Sequence, residues 1–238
     1  NQPIYLQDSD VAAFDGRVPA NVSRTGSVEE SERHQMNVVQ ALKWLVDVGD
    51  WQDASGEAQA VRICWVLHLI GDVHQPLHSA ALFSMKKLPE GDRGGNDTVV
   101  RNGRPVSLHR LWDSAPGTAE DYGAVVATAR AYLSNASLVQ RGQSAGENLD
   151  VEIWLDESFT IARDEIYTDE LLAELRKLSP NQQGVMGPVD MPGSYFEPVD
   201  RIATTRVVEA GYRLAGVLET LLGETKTGGA AAAPVESR

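Results

Sequence analysis

Hydrophobic side chains recur every three to four residues along most of the chain, which predicts a mainly helical fold. The first predicted helix begins at Ser27-Val28-Glu29-Glu30, which has the form of a capping box, and runs through periodic apolar positions at 38–46 to end near Gly49. The second extends from Glu57 to Asp72. Later helices are predicted at about 119–133, 148–167, 169–178 and 201–222.

The second predicted helix carries apolar side chains at Val61, Cys64, Trp65, Leu67 and Leu69. We expect this surface to be buried, so that the helix delivers His68 and Asp72 from a buried position. Cys64 is then most simply a core residue. Because it is the only cysteine, it cannot form a disulfide within the chain.

Asn102-Gly103 is a turn pair that favours a two-residue β-hairpin, with strands at 98–101 and 104–107. No other strand pair stands out. We therefore expect an all-α fold, namely a single multi-helix domain at 1–223 with one small hairpin. The tail at 224–238 is rich in Ala and Gly and is predicted to be disordered. A loop at 85–96 could border a substrate cleft.

Four of the five histidines lie in two short stretches, residues 68–78 and 108–113. In each stretch a His is followed four residues later by an Asp, which places imidazole and carboxylate on one helical face. One such pair alone is more typical of a surface hydrogen bond. Two pairs, with His78 supplying a further nitrogen just after Pro76, indicate a metal site, and these donors suit a catalytic zinc.

The same stretches resemble a known family, the zinc-dependent single-strand-specific nucleases of the S1/P1 type, within the phospholipase C/nuclease superfamily. The matching residues are the His68 to His78 run, Gly94-Gly95-Asn96 and Leu108-His109-Arg110-Leu111-Trp112-Asp113-Ser114, with a weaker match at Ala210-Gly211-Tyr212-Arg213-Leu214-Ala215. The resemblance extends from about Val38 to Leu222. It implies an all-α fold of the phospholipase C/zinc nuclease type.

The resemblance also implies a site with three zinc ions. The residue at His68 would bind one buried zinc, and Asp72 would bridge that zinc to another and position the nucleophile. His78, His109 and Asp113 would hold the remaining zinc. The implied enzyme is a hydrolase, an endonuclease that cleaves single-stranded DNA and RNA to 5′-phosphorylated products through a metal-activated hydroxide. Asn96 is either a substrate contact or a residue that caps the backbone of its turn.

Other ligands of the family site would precede Asn1. We expect an upstream segment to supply them; the alternative is that the chain as given keeps only the cluster of His78, His109 and Asp113. His34, the remaining histidine, is interpreted as a solvated helix residue. His74 is expected to support the site from behind its ligands or to be exposed.

Two further interpretations concern residues that are not expected to bind metal. Asp156, Glu157, Asp164 and Glu165 form an acidic helix face, which is interpreted as solvated surface. Trp112 is interpreted as a core residue.

The formal net charge of −13 is unusual for a protein that binds nucleic acid. Zinc ions would supply positive charge where a phosphodiester must bind, so contact would be local and would favour flexible single strands. No apolar run is long enough for a membrane span. We expect a secreted or periplasmic protein whose signal peptide has been removed, and a monomer is the simplest expectation.

Two alternatives remain open. The zinc phospholipases C share the fold and much of the His68 to His78 run, so hydrolysis of phosphatidylcholine must be tested. A truncated domain that keeps one zinc for structure is the other alternative. That role predicts four protein ligands, whereas the sequence offers three for this zinc, which favours an open catalytic position.

Overall fold

The computed structural model of the chain describes residues 2–15, 17–24, 34–46, 51, 54–118 and 121–223. Helices dominate this part of the chain, as expected for the all-α nuclease-type fold. They are α1 (Asp8–Phe14), α2 (Val38–Leu45), α3 (Gly56–His74), α4 (Pro76–Ser79), α5 (Leu108–Ser114), α6 (Tyr122–Leu133), α7 (Ala136–Gly146), α8 (Val151–Ile161), α9 (Asp169–Lys177), α10 (Gly193–Phe196) and α11 (Val199–Leu222). A π-helical turn, Ala162–Ile166, continues α8. None of the described helices is both long and apolar enough to cross a membrane.

Short strands accompany the helices. They are β1 (Gln2–Tyr5), β2 (Ala80–Phe83), β3 (Thr98–Asn102), β4 (Arg104–Ser107) and β5 (Met186–Asp190). β3 and β4 form the predicted antiparallel hairpin, which is confirmed. The expectation of a single strand pair was wrong, because β1 pairs in parallel with β2 and β5 pairs in parallel with β3. Strands of four or five residues are too short to give a clear alternating pattern.

The prediction of one continuous helix from residue 27 to about 49 was wrong at Asn37, where the helix is interrupted. Asn37 has an extended backbone and begins α2, where its side chain accepts from Gln40 N and forms a capping box with Gln40. The capping box predicted at residues 27–30 and the predicted end near Gly49 lie outside the described residues. His34 is exposed, as expected, and the helical turn that contains it ends at Gln35, before α2 begins.

The buried face of α3 differs from the one expected. Val66, Ile70 and Val73 are buried, at the i, i+4, i+7 spacing of one helical stripe, and pack with α2, α8 and α11. Trp65 is 52% exposed, and Val61, Cys64 and Leu67 of the expected face are also at the surface. Leu69, the remaining member of that face, is half-buried and packs against the buried cluster. Apolar residues occur all round this helix, so periodicity alone did not identify the packed side.

The chain turns sharply where α3 ends. α3 continues to His74, two residues beyond the predicted end, and α4 begins at once with Pro76 in its first turn. Gln75 ends the first helix and caps the second, since its side chain accepts from Leu77 N. This corner joins two hydrophobic clusters: one holds the buried stripe of α3, and the other holds Leu77 of α4 and Leu108 of α5.

Candidate metal centre

Three metal-capable side chains come together at the end of this corner. The ligand atoms of His78, His109 and Asp113 all lie within 4.8 Å of one another. His109 Nε2 is 3.5 Å from Asp113 Oδ2, and the ring centroids of His78 and His109 are 4.9 Å apart. Two atoms bonded to one tetrahedral zinc at about 2.1 Å lie about 3.4 Å apart, so side-chain movements of about 1 Å would complete the coordination.

Asp72 lies beside this cluster and links it to the end of α3. Its Oδ2 is 3.2 Å from His68 Nε2 and 3.7 Å from His78 Nδ1. All five metal-capable residues chosen from the sequence are therefore neighbours in space. The expectation that α3 presents His68 from a buried position was wrong. The His68 side chain is 63% exposed, because α3 packs against the rest of the protein by another face.

The backbone of the preceding loop sets the orientation of His109. Its Nδ1 donates to Gly94 O over 2.8 Å, and its backbone N–H donates to Gly95 O. Since a carbonyl can only accept, Nδ1 carries a proton, and in the neutral ring the free lone pair is therefore on Nε2, which faces the cluster. This is the tautomer required for metal binding through Nε2.

Gly94 and Gly95 make this approach possible. Both have positive φ angles, and a Cβ on Gly94 would lie 2.4 Å from Leu77 O. No residue with a side chain fits there without moving α4. The Gly-Gly pair was noted in the sequence as a motif, and its structural reason is this close contact with the helix that carries His78.

The loop at 85–96 is held to the rest of the protein by hydrogen bonds to the buried side chain of Asp92. This fully buried carboxylate accepts from Leu82 N, Thr98 Oγ1 and the Tyr167 hydroxyl. Burial raises the pKa of Asp92 above its ordinary value, against the effect of these donors. The loop does reach the candidate site, through the carbonyls of Gly94 and Gly95. Sequence reasoning did not single out Asp92.

Gln75 is another functional candidate that sequence reasoning missed. Its Nε2 donates to Asp113 Oδ1 over 2.9 Å, so the corner between α3 and α4 holds a carboxylate of α5. Its position between Asp72 and His78 in the sequence could have identified it as a neighbour of the ligands. Asn96 is exposed, and its Nδ2 donates to Arg93 O, which matches the capping interpretation. The other interpretation, contact with a substrate, stays a prediction.

The remaining histidine of the stretch is engaged elsewhere. His74 is buried, so exposure, one of the two expectations for this residue, was wrong, while support of the ligands from behind stays a prediction. Its Nδ1 lies 2.7 Å from Ile70 O, and its Nε2 lies 2.9 Å from Arg213 Nη1, so both nitrogens have protein partners. Burial, aided by the charge of Arg206, lowers the pKa of His74 to about 3 and keeps it neutral.

The interpretation of the acidic face of α8 as solvated was wrong for Glu157. Its carboxylate is half-buried and accepts from both Arg206 and Arg213 of α11. Burial favours the neutral acid, but these hydrogen bonds and charges outweigh it and lower the pKa of Glu157 to about 2. The helix period of α8 could not show that two arginines lie opposite, since they come about fifty residues later. Trp112 is buried, as expected.

The donor set is suited to zinc. Burial lowers the pKa of His78, which favours the neutral imidazole that binds metal, although Asp72 acts in the opposite direction. Two imidazoles and one carboxylate leave a fourth position open, which is typical of a catalytic zinc.

Comparison with known proteins points in the same direction. A family model described as S1/P1 Nuclease matches residues 14–223. Nuclease S1 of Aspergillus oryzae is 23% identical over 185 residues, which cover 71% of this chain and 57% of that protein. Endonuclease 2 of Arabidopsis thaliana is 27% identical over 169 residues, which cover 68% of this chain and 51% of that protein. The chain thus spans about half the length of these curated relatives.

Proposed function

Since the chain belongs to the S1/P1 nuclease family, we propose that it is a zinc-dependent endonuclease that hydrolyses single-stranded DNA and RNA to 5′-phosphorylated products. The observation that carries the proposal is the cluster of His78, His109 and Asp113 with Asp72 beside it. The bounds 1–223 for one nuclease-like domain and a secreted or periplasmic location remain proposals of the same kind.

His78, His109 and Asp113 would hold one zinc, and His68 and Asp72 would contribute to the binding of the other two zinc ions that the family site implies. When bound, zinc supplies positive charge to the phosphate oxygens and lowers the pKa of water. Asp72, whose Oδ2 faces both His68 and His78, would orient the attacking water and receive its proton. Gln75 and Gly94 would keep Asp113 and His109 in place.

The water would attack the phosphorus of the substrate in line, with the 3′ oxygen as the leaving group. Asn96, exposed on the loop that contacts His109, is our proposed substrate contact. The negative surface favours a short, flexible strand over a long duplex, because only the metal centre would attract phosphate strongly.

The proposal is tested by comparing the wild type with His109→Ala on single-stranded DNA, duplex DNA and phosphatidylcholine vesicles in the presence of zinc. We expect cleavage of the single strand by the wild type and a loss of at least about 100-fold in His109→Ala, with an unchanged circular dichroism spectrum. His34→Ala is the matched control, because His34 is exposed and lies outside the cluster.

Three results would count against the proposal. Full activity of His109→Ala would exclude the cluster as the site. Hydrolysis of phosphatidylcholine but not of DNA would favour the phospholipase alternative. Tightly bound zinc in a protein that hydrolyses neither substrate would favour a structural zinc.

A further inference from the structure

The corner between α3 and α4 separates the metal-capable residues into two groups. His68 and Asp72 precede it, and His78 follows it by only four residues. The distance of 3.7 Å between Asp72 Oδ2 and His78 Nδ1 therefore depends on the angle of this corner. The last carbonyl groups of α3 have no partners within the helix, so other groups must hold them.

Arg206 of α11 holds one of these carbonyls. Its side chain is almost fully buried, and its Nε donates to His74 O over 3.2 Å. Its other nitrogens donate to Glu157, Glu209, Trp154 O and Ser158 Oγ. These contacts use every N–H of the guanidinium, which fixes its plane and direction.

Ser158 of α8 holds the preceding carbonyl. Its buried hydroxyl donates to Val73 O over 2.6 Å and accepts from Arg206 Nη2 over 2.8 Å. Arg206 and Ser158 thus form one unit that fixes two consecutive carbonyls immediately before the corner. The same carbonyls lie one and two residues after Asp72.

Helix α11 is well placed to control this geometry. Val199 and Ile202 belong to the cluster that contains Leu77 of α4, whereas Val217 and Leu221 belong to the cluster that contains the buried stripe of α3. Arg206 lies between these two sets along α11. A change in its contacts would therefore alter how the two clusters meet, and with it the separation of the ligands they carry.

We propose that Arg206 and Ser158 are positioning residues of the metal centre, which hold the α3–α4 corner at the angle that brings Asp72 and His78 together. Neither residue is among the metal-capable groups of the site. The inference rests on the proposed zinc site and adds to it the residues that preorganise the ligands. Preorganisation matters because ligand geometry must be held to within about 0.5 Å for full affinity.

The test measures zinc affinity of the 238-residue chain by competition with a chromophoric chelator, and the absorption spectrum of the cobalt-substituted protein. Ser158→Ala removes the hydroxyl without adding volume, and Arg206→Lys keeps the charge but offers three donors in place of five. We expect both variants to bind zinc about tenfold more weakly and to change the cobalt spectrum. Ser158→Ala decides the matter alone if Arg206→Lys does not fold.

Arg141→Gln is the matched control. Arg141 binds Glu209, the carboxylate that Arg206 also binds, but no contact of Arg141 with the corner is observed among the described residues. We expect its zinc affinity to stay within about twofold of the wild type.

The outcomes separate this inference from the proposed function. Wild-type affinity in Ser158→Ala and in folded Arg206→Lys would overturn the positioning role while leaving the nuclease proposal intact. An equal loss in Arg141→Gln would also overturn it, because the effect would then follow from general stability. A wild-type chain that binds no zinc would overturn both.

Discussion

The conformation of Gly94 decides where the imidazole of His109 can lie. The positive φ of 63° brings the Gly94 carbonyl to His109 and leaves no space for a side chain against Leu77 O. His109 and Asp113 could be chosen from the sequence because spacing on a helix determines which side chains share a face. His78 was chosen for its position just after Pro76, close to the His68 and Asp72 pair. Gln75 and Arg206 could not be assigned in this way, since their partners are brought close only by the folded chain.

Replacing Gly94 by Ala should therefore affect both stability and the metal centre. The left-handed conformation costs about 1–2 kcal/mol for a residue with a Cβ, and the clash with Leu77 O adds about 1–3 kcal/mol. Urea unfolding would measure this loss, and zinc affinity should fall with it.

The control for this substitution is Gly103→Ala in the hairpin. Gly103 has a similar φ of 70°, but nothing lies within 4 Å of the position of its Cβ. Gly103→Ala should lose only the stability that corresponds to the left-handed conformation, about 1–2 kcal/mol, and should bind zinc as tightly as the wild type. Equal effects of the two substitutions would contradict the role assigned to close packing at Gly94.

At the level of elements, the sequence predicted the existence of most helices better than their packing. The bounds of α3, α9 and α11 lie within about two residues of those expected, as is usual for strongly periodic segments. The exposed side of α3 was misjudged because Trp65 and Val61 are apolar but lie at the surface. The break before α2 was missed because Asn37 is a capping residue whose effect depends on the extended backbone that it adopts.

Helices α8 and α11 are joined by Glu157, which gives their contact a defined pH dependence. The pKa of this carboxyl falls from its ordinary 4.5 to about 2 on folding, so the unfolded chain binds more protons between these values. The stability that Glu157 provides is complete above about pH 4.5 and is lost as the pH falls to about 2.

Glu157→Gln should unfold more easily than the wild type at neutral pH, and the difference between the two proteins should shrink through this acidic range. Thermal unfolding at several pH values would measure it. A difference that stays constant between pH 7 and the acidic end would contradict the ion pairs with Arg206 and Arg213.

The whole molecule carries a formal net charge of −13, so its overall field repels the polyanion that we propose as its substrate. Attraction would be confined to the metal centre. Added salt screens the long-range repulsion, with a screening length of about 30 Å at 0.01 M and about 8 Å at 0.15 M.

We therefore expect kcat/KM for a long single strand to rise between about 0.01 and 0.15 M salt, while the value for a dinucleotide changes little. The comparison needs only steady-state kinetics at constant zinc concentration. A steep fall with salt for the long strand would contradict this expectation, because it would indicate many contacts between phosphates and basic side chains.

Cys64 is a suitable site for attaching a single spectroscopic label. It is the only cysteine of the chain, it is exposed on α3, and it lies one helical turn before His68. A fluorophore or spin label attached to this thiol would occupy a single known position without occupying any of the proposed ligands. The native chain thus already contains a reporter position from which the state of the neighbouring histidine can be observed.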